Sequence, residues 1–248
     1  MKKTNHIIYL YDKPADMELI LCSNSVISYP LHNHVSVFTI GLVLYGSLSL
    51  TISGDSFTCE KDSSFTVLPY IPHMIEANDA YSLLTLCIGK HTVHSCDKDE
   101  IKHNILHLLT SVRELELTEV QISRLLNCLD FPDSALLSYP VSPLIDLVKK
   151  QMECCPEMKL SIDEMARSLH LSKYHLIRIF KQTVGLTPHQ FQIQNRIRKA
   201  QHMLNAGDNM TEVALATGFC DQSHFIKQFE KHVGLTPAAY KTSCRLLT

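Results

Sequence analysis

The sequence predicts an α+β multidomain chain with a β-barrel at its N-terminus, connecting helices, and an all-α C-terminal domain built on two helix-turn-helix motifs. Three observations carry this. A pentapeptide, V-G-L-T-P, occurs twice near the C-terminus, at Val184–Pro188 and Val233–Pro237, an offset of 49. Short β-rich runs separated by turn residues fill the chain as far as Ile88 with no helical pattern between them. A leucine-rich stripe at helical spacing lies between these two regions. The expected boundaries are 1–96 for the barrel, 97–138 for the helical region and linker, and 139–248 for the C-terminal domain.

The β-rich runs are Ile7–Tyr11, Leu19–Cys22, Val35–Tyr45, Leu48–Ile52, Phe57–Cys59, Phe65–Leu68 and Leu83–Ile88. Leu48, Leu50 and Ile52 alternate with Ser49 and Thr51, and Ser53-Gly54-Asp55 turns the chain into the next run. From 97 to 131 the pattern turns helical. Ile101, Ile105, Leu108, Leu109 and Val112 share a stripe that Leu115, Leu117, Val120, Ile122, Leu125, Leu126 and Leu129 continue, with a break near Leu117-Thr118. So many leucines exceed what one small barrel needs, which points to a partner chain as well as the barrel. Phe131-Pro132-Asp133-Ser134 and Tyr139-Pro140-Val141-Ser142-Pro143 read as an interdomain linker, with a helix from Pro143 to Cys154 beyond it.

The duplication extends past the pentapeptide: His175 pairs with His224, Ile177 with Ile226, Phe180 with Phe229, and Phe191 with Tyr240. Each copy reads as a short helix, a tight turn and a second helix, over 161–183 and 210–232. In the first, Ser161 and Glu164 form an S-x-x-E capping box, His170-Leu171 makes the turn and Ser172 caps the next helix. In the second, the turn is Ala216-Thr217-Gly218-Phe219 and Asp221 is the cap. Between the copies, Thr187 caps a helix that runs from Pro188 to Ala206 and stops at Gly207. At ~1.5 Å per residue this rod spans roughly 28 Å. Adjacent major-groove faces on one side of B-DNA lie about 34 Å apart, so a rod of this length, with the motif widths added, places both second helices in successive grooves.

The second helices bury Leu176, Ile179, Phe180 and Val184 in one copy and Phe225, Phe229 and Val233 in the other. Tyr174, Ile177, Arg178 and Lys181 are then left outward, matched by Ser223, Ile226, Lys227 and Glu230, and Gln222 is a further expected DNA contact. Arg and Lys reach guanine edges or phosphates, and Ile packs on a thymine methyl. Arg196, on the connecting helix, is a further expected phosphate contact, while Arg198 and Lys199 suit phosphate or solvent equally. Charge follows the motifs. From Pro156 onward there are twelve Lys and Arg against seven Asp and Glu, net +5, and the rest of the chain carries net -7.

The string Ala216-x-Gly218-Phe219-x-Asp221-x-Ser223-His224-Phe225-x3-Phe229-x4-Gly234-x-Thr236-Pro237-x2-Tyr240 resembles the signature of the AraC/XylS family of transcriptional regulators. The first copy matches through Ala166, Leu171-Ser172, His175-Leu176, Arg178, Phe180-Lys181 and Gly185-x-Thr187-Pro188. The resemblance covers residues 142–243 and implies double-stranded DNA as a partner, homodimerisation through the helical region, and RNA polymerase as a further partner if the protein activates. Where the first copy has Lys181, the second has Glu230.

Pro30-Leu31-His32-Asn33-His34, Gly46 and Pro69-Tyr70-Ile71-Pro72-His73 resemble the cupin-type effector domain found ahead of such a DNA-binding unit. That implies a cupin-like barrel in which His32, His34 and His73 face one pocket and contact a small-molecule effector. Neutral imidazoles also ligate metals, so an organic effector and a metal ion are both readings of these residues, and a metal-responsive regulator is the alternative. No other cofactor is expected. The metal-binding cupin pattern has a carboxylate a few residues after H-x-H. Phe38 and Thr39 stand there, which argues against a metal-dependent cupin enzyme, and catalysis is not expected. A second histidine group, His91, His94, Cys96, His103 and His107, follows the barrel, with the last pair on one helical face.

Met1-Lys2-Lys3-Thr4-Asn5-His6 does not read as a secretory leader and no apolar run is long enough to span a membrane, so a cytoplasmic protein with no membrane partner is expected. Nine cysteines at irregular spacing then read as free thiols.

Overall fold

The computed structural model describes residues 6–35, 37–113, 115–129, 143–159 and 161–247. They form two compact units, one from residues 6–28, 33–129 and 243–247, the other from 29–32 and 143–242. The expected linker segments lie outside the described residues, apart from Pro143. All nine cysteines are free thiols.

The first unit begins with nine strands, β1 (His6–Asp12), β2 (Met17–Ser25), β3 (Tyr29–His32), β4 (Val37–Tyr45), β5 (Ser47–Ile52), β6 (Asp55–Glu60), β7 (Ser64–Val67), β8 (His73–Ala77) and β9 (Tyr81–Gly89). They make two sheets and do not close as a single barrel. One is six-stranded in the order β10-β1-β2-β9-β4-β7 and the other four-stranded in the order β3-β8-β5-β6. Hydrogen bonding thus puts the four residues of β3 in the first unit's sheet, although they also group with the second unit. The sequence reading passed over β3 and β8, which are short and carry Pro30, His32 and His73 in place of a β-branched or aromatic run. It also passed over β10 (Cys244–Leu247), which pairs in parallel with β1 from Tyr9 opposite Cys244 to Asp12 opposite Leu247. The last residues therefore belong to the first unit's sheet and not, as expected, to the C-terminal domain.

Three helices follow the strands, α1 (Lys90–Ser95), α2 (Lys98–Thr110) and α3 (Glu119–Asn127). Asp97 caps α2, and Thr118 with Gln121 forms a reciprocal capping box on α3, at the expected break in the stripe. The stripe itself is spent within the chain. Ile101, Ile105, Leu108, Leu109, Val112, Leu125 and Leu129 pack with Leu19, Leu21, Phe38, Ile40, Leu84 and Leu86 in one core beneath the six-stranded sheet. The leucine surplus that suggested a partner chain is mostly absent, leaving Leu106 and Val120 as large apolar side chains exposed on these helices.

The second unit is helical: α4 (Pro143–Cys154), α5 (Ile162–Ser168), α6 (Lys173–Val184), α7 (Pro188–Ala206), α8 (Met210–Ala216), α9 (Gln222–Val233) and α10 (Pro237–Ser243). The duplication is exact in space from α6 onward. Caps Ser172 and Asp221, helices α6 and α9, and C-terminal Gly185 and Gly234 at φ 78° and 82° all keep the offset seen in the sequence. Its aromatic pairs pack alike. Phe180 meets Phe191 at 5.7 Å and 65°, and Phe229 meets Tyr240 at 5.4 Å and 70°. These edge-to-face contacts seat each second helix on the helix that follows it.

Candidate nucleic-acid interface and histidine cluster

In the first motif, the Ser161 hydroxyl accepts from the Glu164 amide and the Ser172 hydroxyl from the His175 amide, satisfying orphan donors at the starts of α5 and α6. His170 makes the turn between them at φ 54°. Lys173 donates across the turn to Asp163 at 3.0 Å, bracing the pair. In the second motif Asn209 and Asp221 are the caps, and Gly218 makes the turn at φ 77°. Glycine is required at this turn for a second reason: a Cβ there would stand 2.3 Å from the Glu157 carbonyl oxygen.

The outward faces are those the sequence predicts. Tyr174 is 83% exposed, Arg178 and Lys181 are exposed, and Ile177 is half-buried beside them. On α9, Gln222, Ser223 and Lys227 are exposed and Ile226 is half-buried. Leu176, Phe180, Val184, Phe225, Phe229 and Val233 are buried beneath, while Ile179 is only partly so. Each helix thus presents one apolar side chain flanked by flexible polar and basic ones, a composition that suits a groove of base edges lined by phosphates.

Arg196 is a correction. Its guanidinium turns inward and donates to the carbonyls of Pro156 at 2.8 Å, Gly218 at 2.6 Å, Met158 at 3.3 Å and Glu157 at 3.4 Å. The Phe219 ring lies 5.8 Å from its Cζ. Five donors in a planar fork can gather several carbonyls at once, and Arg196 uses them to tie the chain after α4 to the turn of the second motif. It is held as scaffold and unavailable to phosphate. Gln192 on the same helix adds donors to Pro156 and Met158. Nearby, Lys199 pairs with Glu157 at 2.9 Å and Arg198 donates to Asn195.

Among relatives, a helix-turn-helix domain model matches residues 165–243. Residues 165–243 are a helix-turn-helix domain. Over 87 residues the chain is 37% identical to the HTH-type transcriptional regulator MtrA of Neisseria gonorrhoeae, covering 35% of this chain and 29% of MtrA. It is 24% identical over 221 residues to the probable transcriptional regulator LumQ of Photobacterium leiognathi, covering 79% of this chain and 89% of LumQ. Apart from LumQ, the match spans from 24% to 51% of the length of curated relatives such as these. The whole fold is similar to the crystal structure of ToxT from Vibrio cholerae, with TM-score 0.59 and 10% identity over 92% of this chain and 98% of that one. The helix-turn-helix domain follows a β-rich N-terminal domain here, and the fold is shared with that protein.

In that N-terminal domain the three predicted histidines meet. Their ring nitrogens lie within 4.8 Å of one another, and the His34 and His73 rings are 5.0 Å apart. His32 Nδ1 is 2.7 Å from the Pro30 carbonyl oxygen and His73 Nδ1 is 3.0 Å from that of Ile71. When Nδ1–H donates in this way, Nε2 is left as the lone-pair nitrogen of each ring. The loop carrying His73 is braced by the Tyr70 amide, which donates to the His34 carbonyl at 2.6 Å, and by buried Asn33. The later group does not converge in this way. His91 bonds Ser95, His103 and His107 are exposed on α2, and the three first-named histidines are the only such cluster among the described residues.

Proposed function

We propose that the chain is a transcription regulator whose C-terminal unit reads double-stranded DNA through α6 and α9 and whose N-terminal unit receives a small-molecule effector. The single observation that supports DNA reading most is the pair of identically capped, outward-facing second helices, each followed by a helix that fixes it. Phosphate contacts supply affinity and base-edge contacts supply sequence preference. Arg178 and Lys181 on α6, with Lys227 on α9, are the basic groups of these faces, and Tyr174, Ile177, Gln222, Ser223 and Ile226 complete them. The effector role of the N-terminal unit is supported by the fold it shares with ToxT, which has been crystallised with an unsaturated fatty acid bound. Homodimerisation through the helical region, residence in the cytoplasm and contact with RNA polymerase at activated promoters belong to the same reading.

Hydroxyl-radical footprinting of the full chain tests it. Each protomer should protect two segments about one helical turn apart on one face of the duplex, and a dimer should protect a pair of such units. Arg178→Ala should cost about 1–3 kcal/mol of operator affinity if it makes a bidentate base contact. Lys227→Ala should cost less, because Glu230 beside it lowers the local charge. A single protected segment, unaltered by Lys227→Ala, would leave only the first motif as a reader.

One observation favours a second reading, a metal-responsive regulator: three imidazoles converge, two of them with Nδ1 held by a backbone carbonyl as in metal ligands. Zinc, nickel or cobalt binding near one equivalent, lost in both His34→Ala and His73→Ala, is its expected result. Absence of metal from protein equilibrated with each ion returns these residues to effector contact or structure.

A further inference from the structure

The two faces of the six-stranded sheet differ at a few positions near its middle. On the helix side, Leu19 and Leu21 of β2 and Leu84 and Leu86 of β9 are between 0% and 4% exposed. On the other side of the same strands, Glu18, Ile20 and Thr85 retain partial exposure. Both strands are internal, paired on each edge, so this exposure comes through the face and marks a gap at Glu18, Ile20 and Thr85, in a face otherwise closed over Cys22, Leu83, Cys87 and Thr39. Register lines up its floor. Tyr11, Glu18, Cys87 and Thr39 stand opposite one another in a single row across β1, β2, β9 and β4. The next row has Ile20, Thr85 and Gly41, then Phe65. The Phe65 ring lies over Gly41 so closely that a Cβ there would stand 2.1 Å from it, giving the space an aromatic wall.

We propose that this recess is a binding site for a small organic cation, an ammonium head on an apolar body, with the Glu18 carboxylate as its counter-ion. No cation or hydrogen-bond donor is paired with that carboxyl among the described residues. Ile20 and Phe65 supply apolar contact for the body, and the Thr85 hydroxyl supplies a further acceptor for the head. A carboxylate ligand would meet Glu18 as a like charge without a compensating cation. This assignment rests on the reading of the N-terminal unit as an effector domain and gives that effector a charge.

Desolvation pushes the Glu18 carboxyl up to about 7, which an open sheet face would not do. Its register partners on the neighbouring strands, Tyr11 on β1 and Cys87 on β9, are both acids. Tyr11 is raised by burial first and then by Asp16 and Glu18. A cation binds the ionised form of Glu18, so binding competes with a proton below pH 7 and is complete in its charge partner above it.

Calorimetry on the full chain with phenethylammonium, and with its carboxylate twin 3-phenylpropionate, tests the site. Phenethylammonium should bind roughly tenfold more tightly at pH 8 than at pH 6, Glu18→Gln should remove that dependence and most of the affinity, and Thr85→Leu, which fills the recess without changing charge, should block binding. Stronger binding of 3-phenylpropionate, undiminished ammonium binding in Glu18→Gln, or no ammonium binding at millimolar concentration would each overturn the proposal. Should phenethylammonium bind as described yet leave operator affinity unchanged at saturation, the site stands and the effector reading falls. Should 3-phenylpropionate bind and alter operator affinity, the effector reading stands and the cation assignment falls.

Discussion

Arg178 and Arg196 are both arginines on amphipathic helices of one domain, and their surroundings assign them opposite work. Arg178 projects into solvent, while Arg196 is partly buried and spends its donors on four carbonyls. Removing the Arg196 side chain leaves those carbonyls short of a charged donor, so Arg196→Ala should lower the stability of the second unit by about 2–3 kcal/mol. Arg196→Lys should not restore it, because an ammonium lacks the planar fork. Urea denaturation checks this, and operator affinity corrected for folded fraction should change far less than in Arg178→Ala. The sequence showed both residues as basic positions in helices. Only the positions of the Pro156 and Gly218 carbonyls, forty and twenty-two residues away in the chain, show which one is scaffold.

At the scale of elements, the repeat was legible because it is written twice: caps, glycine stops and aromatic pairs recur at one offset, and local chemistry enforces each. The α5–α6 and α8–α9 turns differ by one residue in length, and the second replaces His170 with Gly218 under the Glu157 backbone. A pH dependence belongs to the second motif. Burial holds the His232 imidazole below its ordinary value, and Lys231 pushes the same way against a bond to the Gln228 carbonyl. The unfolded chain takes up that proton near pH 6.5 and the native one resists it, so its contribution is fully present above pH 7 and is lost as pH falls through 6.5. Denaturation of the full chain and of His232→Gln between pH 8 and 5.5 should show a steeper loss of stability in the wild type on the acid side. Identical slopes would show that His232 is protonated without cost.

At the scale of the whole molecule, chain order and unit membership part company at the end: β10 covers the edge of β1, which would otherwise close the sheet with unpaired backbone groups. Deleting residues 244–248 should therefore weaken the first unit and promote association through that edge, seen as a lower melting temperature and larger species in sedimentation. An unchanged melting temperature would make β10 incidental. The sequence by itself determined the helix-turn-helix pair, its connecting helix, its exposed faces and the β-rich character of the N-terminal unit. All of these rest on periodicity, capping and turn chemistry, which act over a few residues. Only the tertiary structure decided that the leucine stripe is consumed by the sheet, that Arg196 spends its donors on backbone carbonyls, that the last strand returns to β1, and that the Glu18 carboxyl is desolvated. Each of these depends on groups distant in sequence arriving beside one another, and neither composition nor spacing along the chain records what lies across a sheet or beneath a turn.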